Sequence, residues 1–252
     1  MTETEREWLQ LNQDLEGVCT RILEGIDVQK SIPDEVAARI LRGFLLKSTR
    51  TLRSVNLLMS ERLYEQSEAL TRVLFELRVT FDCFCQMLAN VGGEANKRIL
   101  HAMMLEKFRQ LQAADFFPAI EDVNRKDWEQ AIDEIAAEYP PKELARMKRH
   151  GFTGLSMEQR ARATGHLKTY NIVYRNFSRN IHSTDYVEHV GVGVLPEEGF
   201  SSYLHNRNIV IYHIAHVSAG GVAEAVNNMF DCGQESAIAA LATRRAALQQ
   251  RA

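Results

Sequence analysis

Glycine and proline are scarce in this chain, with 14 and 5 in 252 residues, about 8% together against roughly 12% in average usage. An all-β sandwich or barrel needs a turn every 8 to 12 residues or so, and these few breakers do not supply them. Polar low-complexity tracts are missing and 45% of positions are apolar, which excludes an intrinsically disordered chain. The four cysteines, Cys19, Cys83, Cys85 and Cys232, show no CxxC spacing, so a zinc ribbon and a thioredoxin-type motif are both excluded. Cys83 and Cys85 project about 200° apart on a helix and cannot clasp one metal; they read as buried small hydrophobes in a reducing compartment. The N-terminus MTETEREWLQ is acidic and carries no apolar signal segment. No run reaches the ~18 uninterrupted apolar residues of a membrane span. The expectation is a cytoplasmic protein with no membrane partner.

Lysine is also scarce. Only eight of the 30 basic residues are lysine, which leaves 22 arginines, yet the formal net charge is −3. There is thus no global attraction to nucleic acid, while the planar guanidinium fork suits carboxylate and phosphate. Arginine-favouring codon usage explains the same skew.

Helical periodicity is abundant. Trp8, Leu9, Leu11, Leu15, Val18, Ile22 and Leu23 form a stripe at threes and fours, which predicts a helix over 4–26. Pro33 and Asp34 open a second helix that runs to about Ser60. Leu63, Leu70, Val73, Leu74, Leu77, Phe81, Phe84 and Leu88 mark a third over 62–90, closed by Gly92 and Gly93. Further helices are predicted over 94–114, over 118–139, and as a short basic helix after Pro140-Pro141. After the loop GFTGLS, Ser156 and Gln159 make an S-x-x-Q capping box. A break at Gly165 precedes a helix over about 166–182, and the loop VGVGVLPEEGFSS precedes a long apolar helix over 202–229. An Ala-rich helix over 234–250 ends the pattern. The expectation is one all-α domain, a helical bundle of about eight or nine helices. In it, 1–30 forms the N-terminal helix, 33–230 the bundle core, and 234–250 a C-terminal helix that packs on a partner subunit.

The most unusual stretch is YNIVYRNFSRNIHSTDY, residues 170–186. On a helix, Arg175, Ser178 and His182 share one stripe, and Tyr174, Ser178 and His182 drift only about 80° over two turns. This polar edge adjoins an apolar face of Ile172, Val173, Phe177 and Ile181. A histidine near neutral pKa moves protons, and an arginine holds phosphate. A buried hydrogen-bonded network inside a bundle accounts for the same residues. Arg72 and Glu76, at i and i+4 within apolar flanks, form a same-face pair. A charge turned inward there must be paired, either as an interhelical salt bridge or in a site shared with Arg175 and His182. His205, His213 and His216 lie on one helix, but the Glu-x-x-His pairs of helical carboxylate metal sites are lacking. Phosphate-binding glycine loops and a G-x-S-x-G elbow are lacking too. No cofactor or metal is expected.

The run ALTRVLFELRVTFDCFCQML, with Arg72 and Glu76, resembles the R-x-x-x-E helix of a bacterial helical family known as domain of unknown function 5677. Tyr174, Ser178 and His182 fit that family's following Y-x-x-x-S-x-x-x-H helix, and the resemblance covers about residues 40–215. More broadly, Arg175-Asn176 and His182 resemble the R-x(4–6)-H motif of HEPN-type ribonucleases, at the long limit of its spacing. That resemblance implies metal-independent RNA cleavage by a homodimer whose two motifs face one another. His182 would be general acid or base and Arg175 would steady the phosphorane, with Ser178, Tyr174, Arg72 and Glu76 beside them. Arg179 competes for the arginine role, and Arg179 and Asn176 would contact substrate.

Three functions are therefore carried forward. The first is a HEPN-like endoribonuclease acting as a toxin or phage-defence effector, with RNA as substrate and an antitoxin or regulatory protein as partner. Its local basic face would be ARMKRHGFTG with Arg160 and Arg162. The second is a non-catalytic helical module that binds protein or nucleotide. The third is a metal-dependent helical oxidase.

Overall fold

The computed structural model describes residues 1–28, 34–113, 125–177 and 197–251. These residues form ten helices and no strand, so the chain is all-α, with slightly more helices than expected. They are α1 (Glu3–Val28), α2 (Glu35–Ser60), α3 (Tyr64–Val91), α4 (Gly93–Ala113), α5 (Arg125–Glu138), α6 (Pro141–His150), α7 (Met157–Ala163), α8 (Leu167–Asn176), α9 (Glu197–Phe230) and α10 (Glu235–Arg251).

Local sequence explains where they start. Thr2 and Glu5 bond reciprocally, Thr2 N to Glu5 Oε2 at 2.7 Å and Glu5 N to Thr2 Oγ1 at 3.2 Å, which satisfies amides at the start of α1. The Asp34 carboxylate accepts from the amides of Val36 and Ala37 at 3.0 Å. Ser156 and Gln159 form the expected capping box on α7. Gly165 breaks the chain as expected, at φ +77, where only glycine is unstrained. Two helix ends depart from the expected ones: α8 ends at Asn176 rather than about 182, and α9 starts at Glu197 rather than about 202. The end of the VGVGVLPEEGFSS segment, Gly199 included, is thus helical rather than loop. The helical cost of Gly199, about 1 kcal/mol, is small beside the propagation of a 34-residue helix.

The residues fall into two compact units, Met1–Phe81 with His166–Ala252, and Asp82–Gly165. In the first, α1, α2 and α9 pack on one another, and α10 packs on α1 and α9 of the same chain. Trp8, Leu11, Leu15, Val18 and Ile22 of α1 are all 2% exposed or less, and Ile211, Tyr212, Ala215, Ala219 and Val222 on α9, which packs on α1, are fully buried. Asn206–Phe230 has the length and mean hydropathy, 1.4, of a membrane-crossing helix, with 61% of the window buried inside the chain. Some of its buried polar groups find partners there, while Asn208 Oδ1 and the Tyr212 hydroxyl have none among the described residues. Asn208 donates to Glu5 at 2.8 Å, and His216 Nδ1 donates to Asn12 Oδ1 at 2.9 Å. In the second unit, α4 packs on α5 and α6. Arg98 bonds both Glu143 and the Phe152 carbonyl, and the Phe84 and Phe152 rings meet edge-on at 6.2 Å.

Periodicity placed some side chains on the wrong face. Leu63, Val73 and Ile172 are more than 40% exposed, while Phe75 and Val79, absent from the expected stripe, are buried. Cys83 is buried as expected, but Cys85 is only half-buried.

Candidate functional site

The site is built on α3 and α8. Val173 and Phe177 turn inward from α8 at 0% and 1% exposure, which leaves Tyr174 at the rim of the core. On α3, buried Phe75 lies between Arg72 and Glu76, so the two charged groups flank the same rim. Helix α8 is thereby held to α3 at two points. At its start, the His166 ring meets Phe75 edge-on with centroids 6.3 Å apart. Two turns on, the Tyr174 hydroxyl donates to Glu76 Oε1 at 2.5 Å. Arg72 Nε donates to the same oxygen at 2.9 Å, and its guanidinium lies 4.2 Å from the centre of the Tyr174 ring. Tyr170 stacks on the ring at 4.3 Å.

Electrostatics lock this cluster. Burial, then the hydrogen bond and charge of Glu76, push the Tyr174 phenol up to about 12, so it keeps its proton at neutral pH. For Arg72 the cost of burial is outweighed by hydrogen bonding to Glu76 and Tyr174, which holds the guanidinium above its ordinary value. Arg72 is 20% exposed and Glu76 37%, a half-buried pair rather than a fully interior one. The arrangement suits positioning more than proton transfer. It fixes Tyr174, the first residue of the Y-x-x-x-S-x-x-x-H pattern, against α3.

Of the expected site residues, Arg72, Glu76 and Tyr174 come together across some hundred residues of sequence. Arg175 and Asn176 end α8. Their side chains lie outside the described residues, as do Ser178, Arg179 and His182 in their entirety. Two of the weighed histidines have other occupations. His216, 4% exposed, is bonded to Asn12, and His213 packs edge-on against Trp8 at 5.8 Å. Among the described residues, no group of three or more His, Cys, Asp and Glu could hold a metal ion.

The second unit carries a basic surface. Helix α6 ends in Lys148, Arg149 and His150, and the two cations Lys148 and Arg149 are favourable at a helix C-terminus. Arg146, Arg149, His150, Gly154 and Gln159 line a cleft of about 430 Å³ that holds no carboxylate. The sequence marked this stretch by composition alone.

Sequence reasoning missed Arg78, Arg245 and the roles of Gly221 and His216, which line a separate cleft between helices of the first unit. The only sequence signal was the pair Gly220-Gly221 inside a long apolar helix.

Comparison with protein families finds one described as "Family of unknown function (DUF5677)", matching residues 38–191. Arg72, Glu76, Tyr174, Ser178 and His182 all fall inside that range, which stops before α9. No curated protein and no solved structure matches.

Proposed function

This chain belongs to DUF5677, a family of unknown function, and from that premise we propose that it is a metal-independent endoribonuclease with its chemistry on the end of α8 and the residues that follow it. The observation that carries this reading is the junction of Arg72, Glu76 and Tyr174. Two motifs about a hundred residues apart in sequence meet at the entrance to the segment bearing Arg175, Ser178 and His182. A half-buried ion pair with a phenol stacked beneath its arginine is a rigid support, and rigid support is what proton-transfer geometry requires.

In the proposed reaction, a base takes the proton from an RNA 2′-hydroxyl, and the 2′-oxygen attacks the adjacent phosphorus. The bond to the 5′-oxygen breaks, and an acid protonates that leaving oxygen. The products are a 2′,3′-cyclic phosphate and a 5′-hydroxyl. His182 serves as acid or base, Arg175 stabilises the charged phosphorane, and Arg179, Asn176 and Ser178 contact the substrate. Arg72, Glu76 and Tyr174 are positioning residues. The basic cleft of the second unit, around Arg146 and Arg149, is proposed to attract the RNA backbone. A homodimer, with an antitoxin or regulatory protein as partner, is part of the same proposal, as is a role as toxin or phage-defence effector.

The test compares purified wild-type protein and His182→Ala on a structured RNA, with melting temperatures measured alongside. The expected result is a rate at least about 100-fold lower in the variant, with an unchanged melting temperature. Equal cleavage by both proteins would overturn the His182 site, and no cleavage by either, with a change confined to melting temperature, supports the non-catalytic binding module instead.

A further inference from the structure

A cleft of about 520 Å³ lies between α9 and α10, with Leu15 of α1 and Arg78 of α3 contributing to its lining. Its volume falls within the range of small-molecule sites, roughly 300–1,000 Å³. Arg78 reaches it only because residue 221 is glycine. A Cβ built on Gly221 would stand 1.0 Å from Arg78 Nη1 and 2.2 Å from its Cζ. The guanidinium of α3 therefore lies directly on the backbone of α9.

From the opposite wall comes Arg245 of α10. Its Nε is fully buried and has no hydrogen-bond partner among the described residues. The neighbouring Arg244 is by contrast paired with Asp14. A buried guanidinium nitrogen without an acceptor is costly unless a ligand supplies one.

His216, 4% exposed, also lines the cleft. Asn12 Nδ2 donates to the Tyr212 carbonyl at 3.2 Å, so Asn12 Oδ1 faces the imidazole and accepts from His216 Nδ1 at 2.9 Å. The second ring nitrogen is then a bare acceptor. Burial, Arg245, His213 and Arg244 together lower the imidazole to about 3, so it stays neutral and accepts hydrogen bonds near pH 7.

We propose that this cleft binds a small phosphorylated molecule that also carries hydroxyl groups, with its phosphate between Arg78 and Arg245 and a hydroxyl donating to His216. The planar forks of two arginines match a phosphate. Leu15, Val217 and Leu241 supply apolar surface for the rest of the ligand. The carboxylates present favour a compact ligand over a nucleic-acid backbone. Glu235 is occupied by Asn227 Nδ2 at 2.7 Å, and exposed Glu224 stands on the cleft wall, where it would repel a polyanion. This site is distinct from the α3–α8 junction, and its occupancy is read without any RNA cleavage.

The test titrates the full chain with adenosine monophosphate, ribose 5-phosphate, adenosine and a short RNA by calorimetry. A saturable one-site signal is expected for at least one of the two phosphorylated probes, with adenosine and RNA at least tenfold weaker. Arg245→Gln and Gly221→Ala should each weaken that binding at least tenfold. Gly221→Ala displaces only the flexible end of Arg78, so its melting temperature should stay near that of wild type and the loss will not reflect unfolding. No saturable signal from either phosphorylated probe, equal binding of adenosine, or full affinity in both variants would overturn the proposal.

Discussion

At Tyr174 three interactions act on one side chain: a hydrogen bond to Glu76, a guanidinium on its ring face, and a stacked Tyr170. Tyr174→Phe removes only the first. A hydrogen bond to a carboxylate contributes about 1.5–3 kcal/mol when buried, and the partial exposure of Glu76 brings the expected loss to about 1 kcal/mol in urea unfolding. A variant as stable as wild type would mean that the junction does not hold α8. His216 makes a second prediction at this scale. Its folded value, about 3, lies below its ordinary 6.5, so the unfolded chain takes up the proton first. Its contribution is complete above pH 6.5 and is lost as pH falls towards 3. At pH 5 the loss is about 2 kcal/mol. The half-buried His213, also lowered, adds in the same direction. Urea midpoints at pH 7 and pH 5 should therefore converge in His216→Asn, which keeps a donor towards Asn12. An undiminished pH difference in that variant would assign the effect elsewhere. The residue types at Arg72, Glu76 and Tyr174 were legible in the sequence, because spacing on a helix is a local property. Arg78 and Arg245 were not, because their significance comes from helices that meet only in the fold.

Helix ends followed local chemistry closely. Asp34, Ser156 and Gly165 act as the sequence predicts, since caps and positive-φ turns involve only a few neighbouring residues. Faces were less legible. Val73 and Ile172 continue an apolar stripe yet point to solvent, because which arc of a helix is covered depends on its neighbours. Helix α7, only seven residues long, gains little from propagation, so its cap matters. Ser156→Ala should cost about 1 kcal/mol, raising amide exchange in Met157–Ala163 about fivefold. Unchanged exchange would show that α7 is held by packing rather than by its cap.

Across the whole molecule, the residues group into two compact units under a net charge of only −3. The all-α class was legible from the scarcity of breakers and the long periodic runs, which are summed properties of the chain. The grouping into two units was not, because α3 contributes to both without a break in its sequence pattern. If the basic cleft attracts RNA, Arg146→Gln with Arg149→Gln should weaken RNA binding across sequences. The double variant should also lower the slope of log affinity against log salt by about two. Fluorescence anisotropy over a salt series reads both quantities, and an unchanged slope would place the RNA elsewhere.

The central claim is a phosphoryl transfer from an internal 2′-hydroxyl without a metal ion, and the chemistry of the cleaved ends tests it most directly. RNA incubated with the purified chain in excess chelator should yield 2′,3′-cyclic phosphate and 5′-hydroxyl termini. Intact RNA, or fragments ending in 3′-hydroxyl and 5′-phosphate, would contradict it.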